Sequence, residues 1–123
     1  MKSKALENLR AARDLLESET PSPNAAATRA YYAAYHACWY RLQEDGYETP
    51  EYGGRRYWRH DSFPREILKA GILDEDGADD VSFLYSKRVT ADYFPDGIDF
   101  HEAEELAVAA RKVLRQLGIL ELQ

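Results

Sequence analysis

A single cysteine, Cys38, is all the thiol that these 123 residues carry. An internal disulfide is therefore excluded, a cysteine-type zinc site has no second ligand, and the usage fits a reducing cytoplasm. Long apolar runs are missing as well. None approaches the ~20 residues that span a bilayer, so no membrane partner is expected. The first segment, MKSKALENLRAARDLLE, has no continuous apolar stretch and reads as an amphipathic helix, not a signal peptide. There is no Glu-x-x-His of the kind that di-iron bundles use and no glycine-rich loop ahead of a helix. Neither a metal nor a cofactor is expected on that basis. Basic excess is lacking too: at a net charge of −6, whole-surface binding to nucleic acid is disfavoured, and a local basic patch would have to serve.

What the chain does have is aromatic mass, nine tyrosines and two tryptophans, much of it in one stretch, NAAATRAYYAAYHACWYRLQED, from Asn24 to Asp45. At 100° per residue, Thr28, Tyr31, Tyr32, Tyr35, Trp39 and Leu42 fall within about 100° of one another. Ala26, Ala27, Ala30, Ala34, Ala37 and Cys38 cover most of the opposite side, and Arg29, His36 and Tyr40 form a narrow polar stripe between the two. A helix that is apolar on two sides must be surrounded by protein. The alanines admit a close helix neighbour and the aromatics fill a wider gap. This reads as the central helix of a small bundle.

The rest reads as helices packed on it. Residues 3–18 form a first helix with Ser3 as a candidate cap, stopped by Thr20-Pro21-Ser22-Pro23. The central helix starts near Ser22 and ends at Gly46. Residues 46–60, with Pro50 and Gly53-Gly54, lack periodicity and read as a loop. Asp61 or Ser62 caps a short third helix that stops at Gly71, and 74–80 is an acidic turn. A fourth helix spans about 79–93, terminated by Pro95-Asp96-Gly97, and a fifth about 99–118. No strand is expected. The fold class is all-α, an up-and-down bundle of four to five helices in a single domain, 1–123.

Three groups of side chains bear chemistry. Arg88 and Asp92 stand at i, i+4 within the apolar face made by Val81, Leu84, Tyr85 and Val89, where burial demands pairing. A polar site at an inner face or dimer seam and a structural ion pair both fit. Arg29 and His36 lie two turns apart on one stripe; a guanidinium that clamps phosphate and an imidazole that shuttles a proton would support RNA cleavage, and the plain alternative is a hydrogen-bonded boundary stripe, since a lone histidine on a helix is usually structural. In RRYWRH, Arg55, Arg56, Arg59 and His60 offer phosphate contacts, and Tyr57 and Trp58 offer stacking faces for bases. The plain alternative is a solvated loop that packs its aromatics on the bundle. Cys38, on the alanine face, reads as buried and inert.

Taken together, TRAYYAAYHACWYRL and the later KRVTADYF resemble the HEPN domain family (higher eukaryotes and prokaryotes nucleotide-binding) in its small stand-alone prokaryotic branch. The branch's Arg-x-x-x-Asp-Tyr stretch maps onto Arg88, Asp92 and Tyr93, and its histidine-led short helix onto His60 to Gly71. The resemblance implies a helical bundle that is commonly a homodimer, and a metal-independent ribonuclease in a toxin–antitoxin or defence setting, with a nucleotidyltransferase as antitoxin partner and RNA or a nucleotide as ligand. It equally admits a non-catalytic nucleotide- or protein-binding module and a purely structural dimerisation bundle. Active members carry Arg-x(4–6)-His late in the domain. Here the first histidine after Arg88 is His101, whereas Arg29–His36 and Arg55–His60 have the spacing. The candidate catalytic residues are Arg29, His36 and Arg88. The candidate binding residues are Arg55, Arg56, Tyr57, Trp58, Arg59, His60, Asp92 and Tyr93.

Overall fold

The 22 residues from Pro23 to Glu44 form one helix, and every other helix touches it in a computed structural model that describes residues 1–94 and 97–120. In chain order the elements are α1 (Lys2–Glu17), α2 (Pro23–Glu44), β1 (Glu51–Tyr52), β2 (Arg55–Arg56), α3 (Phe63–Ala70), α4 (Glu75–Tyr93) and α5 (Phe100–Gln116). The architecture is an all-α bundle with one small hairpin. As the two-sided pattern of α2 requires, its alanines (Ala26, Ala27, Ala30, Ala33, Ala34, Ala37) and Cys38 are buried on one side, and Tyr31, Tyr35 and Leu42 on the other. α1 makes the most extensive packing with α2, through Ala5, Asn8, Leu9, Ala12 and Leu16. Small side chains let the two backbones come close.

Sequence and structure part in three respects. The connection after α2 is not all loop: β1 pairs antiparallel with β2, Glu51 opposite Arg56 and Tyr52 opposite Arg55. Gly53 and Gly54 both adopt positive φ, +56° and +82°, which suits the two-residue hairpin turn that residues with a Cβ enter only at a cost. α4 begins at Glu75, not 79. The acidic run is its first turns, with the Asp74 carboxylate accepting from the Gly77 N–H at 2.8 Å and Glu75 and Asp76 near the positive end of the dipole. Gly77 serves packing, since a Cβ there would run into the Gln116 side chain and come within 3.1 Å of Leu73. Ser3 lies inside α1, and Ser22 and Ser62 stand at N-cap positions without a side-chain capping bond. Of the expected Pro95-Asp96-Gly97 terminator, Pro95 and Asp96 lie outside the described residues.

α5 opens with a capping box: the Asp99 carboxylate accepts from the Glu102 N–H at 2.8 Å while the Glu102 side chain reaches back to the Asp99 N–H. The other Glu102 oxygen accepts from Lys87 at 2.9 Å, which ties the start of α5 to α4. Asn24 joins the same corner to α2, its amide donating to the Phe94 carbonyl and its oxygen accepting from the Ile98 N–H. These bonds set α4 beside the aromatic face of α2. No helix among the described residues is long and apolar enough to cross a membrane.

Candidate functional site

Tyr31, Tyr35 and Trp39 recur every four residues along α2, and each carries a polar tip on an apolar body. All three tips reach the connection between α2 and α3. The Tyr31 hydroxyl meets His60 Nδ1 at 2.5 Å, the Tyr35 hydroxyl donates to the Trp58 carbonyl at 2.7 Å, and the Trp39 indole N–H donates to the Thr49 hydroxyl at 3.0 Å. The aromatic face thus fixes a segment without helical hydrogen bonds onto the bundle, and its far end delivers the imidazole of His60.

That imidazole sits in an aromatic cage. Its ring centre is 4.5 Å from Tyr35, 5.4 Å from Tyr31 and 5.9 Å from Tyr32, and it stacks at 6.0 Å and 7° on Tyr85 of α4. One turn on from Tyr85, the Arg88 guanidinium lies 5.9 Å over Tyr31 and 5.4 Å over Tyr32. Arg88 and His60 therefore share two tyrosine rings. Asp92 completes the group, with Oδ2 3.0 Å from Arg88 Nε and Oδ1 accepting from the Thr28 hydroxyl at 3.1 Å. The Arg88 contact is an ion pair off the N–H axis, because the buried Nε makes no hydrogen bond. Burial first, and the Arg88 charge second, hold the His60 imidazole below its ordinary pKa, with Asp61 opposing them; the ring is neutral at pH 7. Burial also drives the Tyr31 phenol far above its usual range and Tyr35 up to about 12, so both hydroxyls keep their protons.

Arg29 and His36 belong to a different arrangement. Arg29 donates to the Asn8 side-chain oxygen at 3.2 Å, while the Asn8 amide nitrogen donates to the Lys4 carbonyl at 2.9 Å and lies 3.3 Å from His36 Nδ1. One buried amide on α1 thus satisfies both members of the stripe. Burial, and then the positive charges of Lys4 and the terminal amine, lower His36 to about 4. His36 still borders the cage through Tyr32, whose ring stacks on it at 5.9 Å.

The basic loop divides. Trp58 is buried at 7% exposure and packs on Phe63, so it is a core residue and not the base-stacking face that its composition suggested. Tyr57 pairs with Tyr52 at 5.1 Å. Arg55, Arg56 and Arg59 are exposed; Arg56 faces Glu51 at 3.6 Å and donates to the Thr49 carbonyl, and Arg59 pairs with Asp61 at 3.0 Å. Tyr93 is 76% exposed, outside the cage over whose rings Arg88 lies. Cys38 is fully buried and its thiol pKa is raised by that burial. Asn8, Thr28, Tyr31, Tyr32, Tyr35 and Tyr85 are site neighbours outside the candidate residues. Spacing placed Thr28 and the three tyrosines on one face of α2, and Tyr85 on the apolar face of α4, as packing groups only, and Asn8 stands as an amide within the apolar stripe of α1.

A helical bundle whose central helix uses its tyrosines to gather a histidine, an arginine and an aspartate defines an all-α protein with a partly buried polar centre. The chain belongs to the HEPN domain family, whose family model matches residues 1–120. No curated protein and no solved structure matches it.

Proposed function

We propose that the protein binds RNA and cleaves it without a metal ion, with Arg88 holding the scissile phosphate and the neutral His60 ring donating a hydrogen bond to the departing oxygen. The observation that carries this reading is that His60 and Arg88 lie against the same two rings, Tyr31 and Tyr32. The late histidine missing after Arg88 along the chain thus has a counterpart in space, supplied by the connection before α3. In the reaction the ribose 2′-oxygen bonds to phosphorus as the bond from phosphorus to the 5′-oxygen breaks. The 2′-hydroxyl proton goes to water and the departing oxygen takes one from water, while the neutral His60 ring keeps its proton and donates a hydrogen bond to the departing oxygen as charge develops there. The products are a 2′,3′-cyclic phosphate and a 5′-hydroxyl. Arg29 and His36 are the weaker pair, because Asn8 already engages both.

The test is incubation of the purified protein in EDTA with a mixed RNA pool and with single tRNAs. Cleavage is expected in the parent and in His36→Ala, and its loss in His60→Ala and Arg88→Ala with the helical signal intact. No cleavage by the parent would sink the nuclease and favour a second reading, a non-catalytic nucleotide- or protein-binding module. What speaks for that second reading is Asp92, which already neutralises Arg88. For context we propose a toxin–antitoxin or defence pair with a nucleotidyltransferase antitoxin in a reducing cytoplasm. The resemblance of the tyrosine-rich helix and the Ala-Asp-Tyr segment supports the pairing, and the lone buried Cys38 suits the compartment. Co-expression with the product of an adjacent reading frame and joint purification would test it.

A further inference from the structure

We propose that Tyr31 is a positioning residue that fixes the tautomer of His60, leaving the ring proton on Nε2 and the Nδ1 lone pair occupied. This rests on the reading above, in which the neutral His60 ring donates a hydrogen bond to the departing oxygen, and it deepens that reading by naming the nitrogen that donates it.

Tyr31 reaches the His60 ring with its hydroxyl. The side chain is fully buried at 0% exposure, and His60 Nδ1 at 2.5 Å is its hydrogen-bond partner. A phenol in that setting keeps its proton, since burial and the neighbouring tyrosines penalise the phenolate. The proton needs an acceptor, because a buried hydroxyl with no partner for its hydrogen is costly. The groups facing the imidazole are Tyr31, Tyr32 and Tyr35 from α2, Tyr85 and Arg88 from α4, and Asp61 beside it in the chain. Burial first, and the Arg88 charge second, outweigh Asp61 and oppose protonation of the ring, so the imidazole is neutral and has one nitrogen free to accept. Nδ1 is that nitrogen, and Nε2 therefore carries the hydrogen. A histidine whose tautomer is set from behind is a recurring device, and losing the partner leaves the ring divided between two states, only one of which serves the reaction.

The experiment is nitrogen NMR of the uniformly labelled full chain, with the His60 ring signals identified by their disappearance in His60→Ala. Between pH 6.5 and 8 the parent should show a single pattern with hydrogen on Nε2. Tyr31→Phe keeps the ring and removes the hydroxyl; it should show both tautomers, and RNA cleavage should fall by roughly 10-fold or more in kcat with little change in KM. Hydrogen on Nδ1 in the parent, or an unchanged ring pattern in Tyr31→Phe, would overturn the proposal. The parent spectrum decides the tautomer even if Tyr31→Phe does not fold. An Nε2–H pattern in a parent that cleaves no RNA would uphold the tautomer and overturn the nuclease, so the two failures are distinct.

Discussion

The Thr28 hydroxyl of α2 donates to Asp92 of α4 at 3.1 Å, and the other oxygen of the same carboxylate faces Arg88 at 3.0 Å. Asp92 therefore holds Arg88 in place and joins two helices. From its position in an apolar stripe the pair reads as buried, yet the Arg88 and Asp92 side chains keep 23% and 34% of their surface exposed. The reason is location: Asp92 lies in the last turn of α4, which ends at Tyr93, where the stripe runs out of neighbours. The stability at stake lies between that of a surface pair and that of a fully buried one.

Asp92→Ala should accordingly cost about 1–2 kcal/mol in urea denaturation, more than the ~0–1 of an exposed pair and less than the ~3–5 of a buried one. Thr28→Val should cost less, and the two together less than the sum, since they share a carboxylate. Arg88→Met with Asp92→Leu should be milder than Asp92→Ala alone, because no charge is stranded. Additive single mutants would show that Thr28 and Asp92 do not interact in solution.

Assembly comes next. Tyr93 and Phe94 are 76% and 61% exposed, and Phe83 and Phe100 are 40% and 42% exposed. Exposed aromatic surface of this kind marks association sites, and we expect a two-fold dimer. Sedimentation at micromolar concentration should give about twice 14.1 kDa. Tyr93→Ser with Phe94→Ser should shift the population to monomer if this end of α4 is the seam. A parent that stays monomeric across the range removes the dimer.

The pH dependence of stability has a definite sign. His36 is lowered from 6.5 to about 4, so the unfolded chain binds its proton more readily than the folded one. The contribution is whole above pH 6.5 and is lost as pH falls from there towards 4. Its ceiling is about 3 kcal/mol at 1.36 kcal/mol per pKa unit, reduced by the partial exposure of the ring. His60, also lowered, adds in the same direction. Chemical denaturation from pH 7.5 to 4.5 should show His36→Gln losing less stability than the parent. Parallel curves for the two proteins would contradict the lowered value.

Much of the bundle was legible because it is periodic. The apolar stripe of α1, the two-sided pattern of α2 and the Gly71 stop after α3 are local signals with local physical causes. The hairpin was legible in principle, since adjacent glycines between short segments demand positive φ, but two-residue strands carry no alternation to confirm it. The start of α4 was hidden because Gly77 opposes a helix by propensity, and the reason for it lies in the Leu73 side chain packed against it. The candidate site was the least legible part. His60 and Arg88 are separated by 27 intervening residues and meet through tyrosine rings of a third segment, which no spacing along one helix encodes. Spacing instead favoured Arg29 and His36, and only the fold reveals that Asn8 stands between them.

The last prediction separates the basic loop from the cage. If RNA lies along the β1–β2 hairpin, the loop arginines contribute phosphate contacts in proportion to their free charge. Arg56 is offset by Glu51 and Arg59 by Asp61, whereas the Arg55 guanidinium has no carboxylate partner among the described residues. Arg55→Ala should therefore weaken binding most and flatten the salt dependence by about 0.7 in log–log slope, the share of one phosphate contact on single-stranded RNA. Arg59→Ala should change the slope less, and removing Asp61 as Asp61→Asn should strengthen binding by releasing Arg59. Neither arginine change touches the groups around His60, so cleavage at saturating RNA should persist in Arg55→Ala and Arg59→Ala; Asp61→Asn, which removes a charge beside the imidazole, is read for binding alone. Fluorescence anisotropy with a labelled single-stranded RNA from 50 to 300 mM salt measures the slopes. Equal slopes in the parent and in Arg55→Ala would take the hairpin out of the RNA path, leaving Arg88 as the one phosphate contact argued for.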